Sequence, residues 1–237
     1  MRTFADRVID FNRHLHLDVE LPDNIRVMNP FRENPQAMKV SSAFYKKYYN
    51  DHNSRHLILG INPGRFGAGV TGVPFTDTKR MEEACSIQVQ GMQTHEPSSV
   101  FIYEVIEAYG GVEKFYSHFY INSPSPLGFV KVNPGTREVN YNYYDSKQLE
   151  LLLQDFITGS IRAHISMGII TDVAFCLGTG KNYTYLKQLN DRHQFFDHLV
   201  PLEHPRYIMQ YKSKEKPGYL EKYIRALTTL PAAGRIY

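Results

Sequence analysis

The sequence predicts an α/β fold of three layers, α/β/α, around a central, mainly parallel, doubly wound sheet of four strands. Three observations predict it. Four short apolar runs stop at turn formers: residues 57–61 at Asn62-Pro63-Gly64, 119–121 at Asn122-Ser123-Pro124, 173–177 at Gly178-Thr179-Gly180 and 199–202 at Glu203-His204-Pro205. Segments of helical periodicity lie between these runs, the alternation that brings strands together in parallel. Neither an internal repeat nor a Ser/Gly linker divides the 237 residues, so one domain is expected over 1–237.

Residues 1–50 carry a helical stripe (Phe4, Val8, Phe11, Leu15) interrupted by charge, which suits a helical extension and neither a signal peptide nor a membrane anchor. The run at 57–61 reads as a buried strand. It opens into a loop with four glycines, at 64, 67, 69 and 72, where backbone can approach a ligand without a Cβ in the way. Val73-Pro74-Phe75 then stiffens the loop and sets an aromatic ring after it. Apolar residues at 101, 102, 105, 106 and 109 predict a helix over 97–109, with Pro97 at its start and Gly110-Gly111 at its stop. The stretch 122–144 reads as irregular, because Pro124, Pro126 and Pro134-Gly135 oppose helix; a loop that long is usually functional. Leu149, Leu152, Leu153, Phe156 and Ile157 predict one helix over 149–167, with Asp145 or Ser146 as N-cap and Gly168 after its last turn. Shorter helices are expected over 181–190 and 218–227.

With 42% hydrophobic residues, 17 tyrosines and 14 phenylalanines but no tryptophan, the chain can bury a substantial core. No charge-free run approaches the roughly 18 residues that span a bilayer, so a soluble, cytoplasmic protein is expected. Cys85 and Cys176 are too few for a four-thiolate cluster or a Cys-rich zinc site, and too far apart in sequence for a disulfide framework; neither metal nor cofactor is expected. Residues 206–225 hold six cations against two carboxylates, a net +4 in a chain whose total is +3. Tyr207, Tyr211, Tyr219 and Tyr223 interleave them, a mixture suited to phosphates and exposed bases, although charge alone fits a solvated helix equally well.

In an open parallel sheet, ligands bind outside the carboxyl ends of the strands, where Asn62, Asn122, Gly178 and His204 would gather. An amide at the floor and the Phe75 ring on the wall describe a small-ligand pocket.

These residues resemble the uracil-DNA glycosylase superfamily, in its single-strand-selective monofunctional branch and the bacterial relatives of that branch. Residues 60–67 read Gly-Ile-Asn-Pro-Gly-Arg-Phe-Gly, and 71–76 read Thr-Gly-Val-Pro-Phe-Thr, similar to the branch's first motif. Residues 119–129, Phe-Tyr-Ile-Asn-Ser-Pro-Ser-Pro-Leu-Gly-Phe, look like the strand whose asparagine reads the base, and His204-Pro205 falls at the second catalytic motif. The resemblance covers roughly residues 55–215. Arg65 stands where the better-known branch has proline and Thr76 where it has glycine. After Pro205 the chain continues Arg-Tyr-Ile-Met-Gln-Tyr-Lys instead of the family's Ser-Pro-Arg.

The resemblance implies a monomeric enzyme that flips uracil out of DNA and hydrolyses its N-glycosidic bond in base excision repair, and leaves open whether related deaminated or oxidised bases are also removed. Asn62 would position the water and His204 would donate to the uracil O2 as charge collects there. Asn122 would match N3–H and O4 of the base, Phe75 would stack on it, and the backbone amides around Ile61 and Gly64 would meet its edge. Arg206, Tyr207, Ile208 or Met209, on a loop running to Lys212, would fill the vacated stack. Gly180, opening a helix, would contact a phosphate. With no lysine inside the motifs, a Schiff-base lyase step is disfavoured. Two other readings stay open on the residues. Gly178-Thr-Gly180 begins like a dinucleotide-binding Gly-x-Gly-x-x-Gly, but Tyr183 takes the third glycine's place. A non-catalytic nucleic-acid-binding module explains the basic C-terminal segment but not Asn62, Asn122 and His204.

Overall fold

The computed structural model describes residues 1–91, 93–132, 135 and 137–229. The chain opens with α1 (Phe4–His14), capped by Thr3 and Asp6 in a reciprocal capping box. It continues through β1 (Ile25–Met28), α2 (Pro30–Glu33) and α3 (Pro35–Tyr48) to β2 (Arg55–Leu59), whose residues are all buried. Short α4 (Ala68–Thr71) and α5 (Thr78–Glu83) carry the glycine loop to α6 (Pro97–Tyr109), α7 (Val112–His118) and β3 (Phe119–Asn122). The hairpin β4 (Gly128–Lys131) and β5 (Val139–Tyr141) precedes α8 (Lys147–Leu152), α9 (Gln154–Ser166) and β6 (Ile169–Leu177). Finally α10 (Lys181–His193) leads to β7 (His198–Leu202), α11 (Pro205–Tyr211), a 3₁₀ turn at Ser213–Glu215, and α12 (Lys216–Thr228).

The main sheet has the order β3-β2-β6-β7, with all three pairings parallel. From β2 the chain moves outward to β3, then crosses back over β2 to β6 and outward again to β7. Right-handed crossovers in opposite directions put their helices on opposite faces, so the sheet is doubly wound, with its switch point between β2 and β6. α7 packs on β2 and β3, α9 and α10 on β6, and α6 carries α11 and α12. Leu57, Phe119, Tyr120 and the run from Val173 to Leu177 are fully buried, as strands covered on both faces require.

Two expectations about elements need correction. The stretch 122–144 is not all irregular: residues 121–130 are buried, and β4 and β5 join β1 in an antiparallel sheet of order β1-β4-β5. Its strands are three or four residues long, too short for periodicity to reveal, and Pro134 lies outside the described residues. The helix over 149–167 is two helices, broken at Leu153 where ψ is −2°. Leu149, Leu153, Ile157 and Ile161 stay buried across the break, so one apolar stripe serves both pieces. Ser146 is the N-cap of the first, accepting from the Leu149 amide at 3.2 Å.

Residues 1–50 share the core with the sheet. Phe4 meets Tyr120 edge-on, and α1 packs on α3. The fully buried Arg55 guanidinium lies 4.9 Å from the Phe4 ring centroid and 4.7 Å from that of Tyr49. It donates to both carboxylate oxygens of Asp51 and to the Tyr116 carbonyl, so the buried charge is paired and its donors are used. Among the described residues no helix is long and apolar enough to cross a membrane.

Candidate active site

The carboxyl ends of β2 and β6 are tied by a residue that the sequence reading did not single out. Asn182, buried on α10, donates to the Gly60 carbonyl at 2.9 Å and the Leu177 carbonyl at 3.0 Å, and accepts from the Tyr143 hydroxyl. It fixes the switch point on which the site is built. Gly60 accepts no side chain without a shift, because a Cβ there would stand 3.1 Å from the Phe75 ring and 3.3 Å from the Ser123 hydroxyl.

The Val73-Pro74-Phe75 turn is held from inside. The buried Thr71 hydroxyl donates to the Thr76 carbonyl at 2.6 Å, and Thr76 Oγ1 reaches the Pro74 carbonyl and the Tyr103 hydroxyl. Thr76 is therefore a fastening of the turn. Phe75 itself sits at φ +52°, a left-handed conformation that costs a non-glycine residue free energy and persists here because its surroundings impose it. The ring ends 5.7 Å from that of His204.

A cleft of about 350 Å³ opens at this edge, lined by Ile61, Asn62, Gly64, Phe75 and His204 among others. Asn62 is clamped by the β5 segment: its amide donates to the Tyr141 carbonyl at 3.2 Å and accepts from the Tyr143 amide at 3.3 Å. One N–H and one lone pair remain for a further partner. Arg65 is tied to the same segment, its backbone amide donating to Asn140 Oδ1.

His204 caps α11. Its Nδ1 accepts from the Arg206 amide at 3.1 Å, so that nitrogen carries no proton and Nε2 is the N–H of the neutral ring. Burial, with help from the Arg206 charge, lowers its pKa from 6.5 to about 4. At neutral pH the ring is thus an uncharged donor of known tautomer.

Asn122 is buried just behind the cleft, beside a small recess that shares Pro63, Ala68 and Pro74 with it, while Ser123 reaches the cleft wall. Its amide donates to the Tyr120 hydroxyl at 2.5 Å and accepts from the Ser123 amide at 2.7 Å. These two contacts fix which way the amide points and leave one donor and one acceptor.

The remaining sequence-predicted residues are not all brought together. Residues 206–211 lie in the helix α11 rather than a loop, with Lys212 as its C-cap, since Pro205 at its first turn and the His204 cap start it. On that helix Arg206 and Tyr207 are exposed and line the cleft mouth with Gln210 and Tyr211. Ile208 is wholly buried in the core and has no surface to offer DNA, which corrects its candidacy as an inserting residue. Met209 is half-buried against the same core. Lys212 pairs with Glu215 at 2.9 Å. Gly180 lies in a neighbouring cleft with Ser146, Lys181 and Tyr144, and Tyr144 lines both clefts. Glu96, Asn140 and Asn142 line the main cleft and were not anticipated. For Glu96 the available signal was a polar residue directly before Pro97, the pattern of a helix start.

A family model described as the uracil DNA glycosylase superfamily matches residues 46–228. The chain belongs to that superfamily. Among solved structures, this glycosylase is similar to wild-type SMUG2 of Pedobacter heparinus, at 55% identity and a TM-score of 0.95, over 97% of this chain and 99% of that one. No curated protein sequence matches it. The glycosylase assignment leaves the dinucleotide-binding and non-catalytic readings without support. The Gly178-Thr-Gly180 turn serves the fold instead: a Cβ on Gly178 would meet the Asn182 side chain at 3.3 Å.

Proposed function

We propose that this uracil-DNA glycosylase removes uracil from DNA by placing a neutral donor and a water-holding amide around one flipped base. The observation that carries the reading is that Asn62, Phe75 and His204 line one cleft at the sheet's switch point, with His204 held as the Nε2–H tautomer. When the C1′–N1 bond breaks, its electron pair goes to the pyrimidine and positive charge is left on the sugar. His204 Nε2–H donates to the uracil O2 as that oxygen gains charge. A neutral donor stabilises the anion without having to give up its proton. Asn62, clamped by Tyr141 and Tyr143, uses its free N–H and lone pair to hold the attacking water.

Asn122 reads the base edge with its remaining donor and acceptor, which match O4 and N3–H of uracil and mismatch cytosine. The Phe75 ring covers the base face, and the backbone at Ile61 and Gly64 meets its edge. Arg206 and Tyr207 meet the strand at the cleft mouth, Met209 and Lys212 follow on the same segment, and Gly180 meets a phosphate further along. The protein acts as a monomer in the cytoplasm, without metal or lyase chemistry. Release of free uracil from an oligonucleotide containing one deoxyuridine tests the reading, and an intact glycosidic bond after prolonged incubation refutes it.

A further inference from the structure

The cleft contains one carboxylate with no part in holding the base or its leaving oxygen. Glu96 precedes α6 and is the sole acidic side chain among the described residues that line the cleft. Its position is built in. The fully buried Asp77 accepts from the Glu96 backbone amide at 2.6 Å and from the Arg80 amide at 2.9 Å, which ties Glu96 to the start of α5. The carboxylate lies across the glycine loop: Oε2 would be 2.1 Å from a Cβ on Gly67, and Oε1 3.6 Å from a Cβ on Gly64. The Gly64 position is equally close to the Asn140 amide, 3.6 Å away. A side chain at position 67 would therefore have to displace the Glu96 carboxylate from its place over the loop.

The hydrogen bonding of this carboxylate is incomplete. Among the described residues, its one side-chain bond is a long 3.4 Å contact from the Ser99 hydroxyl to Oε2. Burial raises the Glu96 pKa, with the Arg206 charge and the Ser99 hydroxyl pulling it back and Asp77 adding to the rise. A negative group lining a cleft that takes a polyanion opposes binding, so its presence needs a compensating use. Asn62 supplies the complementary need, since an amide can orient a water but cannot accept its proton.

We propose that Glu96 is a further catalytic residue of this glycosylase, the base that receives the proton of the water oriented by Asn62. The proposal rests on the glycosylase reading of the cleft. In the step, the water oxygen bonds to C1′ as the C1′–N1 bond breaks, and that bond's electron pair leaves with the pyrimidine. One water proton passes to Glu96, and the departing pyrimidine anion, stabilised by His204, is later protonated by solvent. Before transfer, the carboxylate's charge also favours the developing sugar cation.

The test is Glu96→Gln, which keeps the shape and removes the charge and basicity. Its single-turnover release of uracil should fall by about 10²-fold or more, as loss of a general base does. Affinity for an oligonucleotide carrying uncleavable 2′-fluoro-2′-deoxyuridine should be unchanged or tighter, because a negative charge has been removed from the DNA path. The charged groups that act on Glu96 are Asp77 and Arg206; Asp77 is itself paired with Arg80 and His95, and His204 lines the same cleft. The parent's rate should drop as pH falls through the Glu96 pKa, and the Gln variant should lose that limb. A Gln variant within threefold of the parent rate, or one whose lost rate is matched by lost affinity, overturns the proposal. If the parent itself releases no uracil, the glycosylase reading fails instead, and the two failures are distinguishable.

Discussion

At the scale of single residues, the site works through hydrogen bonds that are already half spent. Asn122 has one donor engaged by Tyr120 and one lone pair engaged by the Ser123 amide. A buried amide held this way cannot turn over to suit cytosine without leaving the Ser123 N–H facing an N–H. Asn122→Asp is therefore expected to weaken uracil excision and narrow the preference for uracil over cytosine; paired oligonucleotides carrying each base check this. Unchanged excision by Asn122→Ala would show that the asparagine only starts a turn. The placement of Asn62, Asn122 and His204 at the carboxyl ends of strands, with Phe75 on the loop after the first, was legible in the sequence because each follows an apolar run or a glycine-proline turn. What was not legible was where the second half of each hydrogen bond lies. Asn62 depends on Tyr141 and Tyr143, about 80 positions away, and Glu96 reaches the glycine loop only through the fold.

At the scale of elements, α11 shows how one short helix divides its labour. His204 caps it from the cleft, Ile208 anchors it in the core, and Tyr207 and Tyr211, 42% and 67% exposed, face outward. Ile208→Ala should destabilise the protein by about 2–5 kcal/mol, as truncation of a buried aliphatic side chain does, measured by denaturant unfolding. Tyr207→Ala should leave stability nearly unchanged and weaken binding to uracil-containing DNA; the reverse pattern would mean that the helix faces the other way in solution. Seven residues are too few to establish a helical stripe, so in sequence this segment reads as a loop. In α6, by contrast, five apolar positions and a glycine stop over 13 residues make the helix legible. The hairpin β4–β5 was missed for the same reason of length, although it carries the backbone that clamps Asn62.

At the scale of the whole molecule, charge and protonation set the working conditions. The lysines after α11 are partly committed within the protein, Lys212 to Glu215 and Lys216 to Glu104 at 2.6 Å, while Lys214 is exposed. Replacing all three with alanine should reduce the salt dependence of DNA binding by fewer than about three phosphate contacts, and an identical slope would place them off the DNA. His164 is fully buried against Phe11 and Tyr120, and burial lowers its pKa from 6.5 to about 3. Because the unfolded chain binds this proton more readily, its contribution favours the native state fully above pH 6.5 and is lost as pH falls towards 3. His204, lowered to about 4, acts in the same direction. Unfolding midpoints should therefore decline on acidification below pH 6.5, and His164→Leu should flatten that decline. An unchanged acid profile in the variant would assign the sensitivity elsewhere.

The most direct test of the account is single-turnover release of uracil by the parent, Asn62→Ala and His204→Ala, alongside affinity for uracil-containing DNA. Losing the His204 donor should cost about 10²–10³ in rate. Losing Asn62 should also cut the rate strongly, and affinity should stay near the parent's in both. Because both residues act in one transition state, the double variant need not lose the product of the single effects. Parent-like rates in both single variants, or losses that follow DNA binding and folding, would contradict the assignment of this cleft as the place where the glycosidic bond is broken.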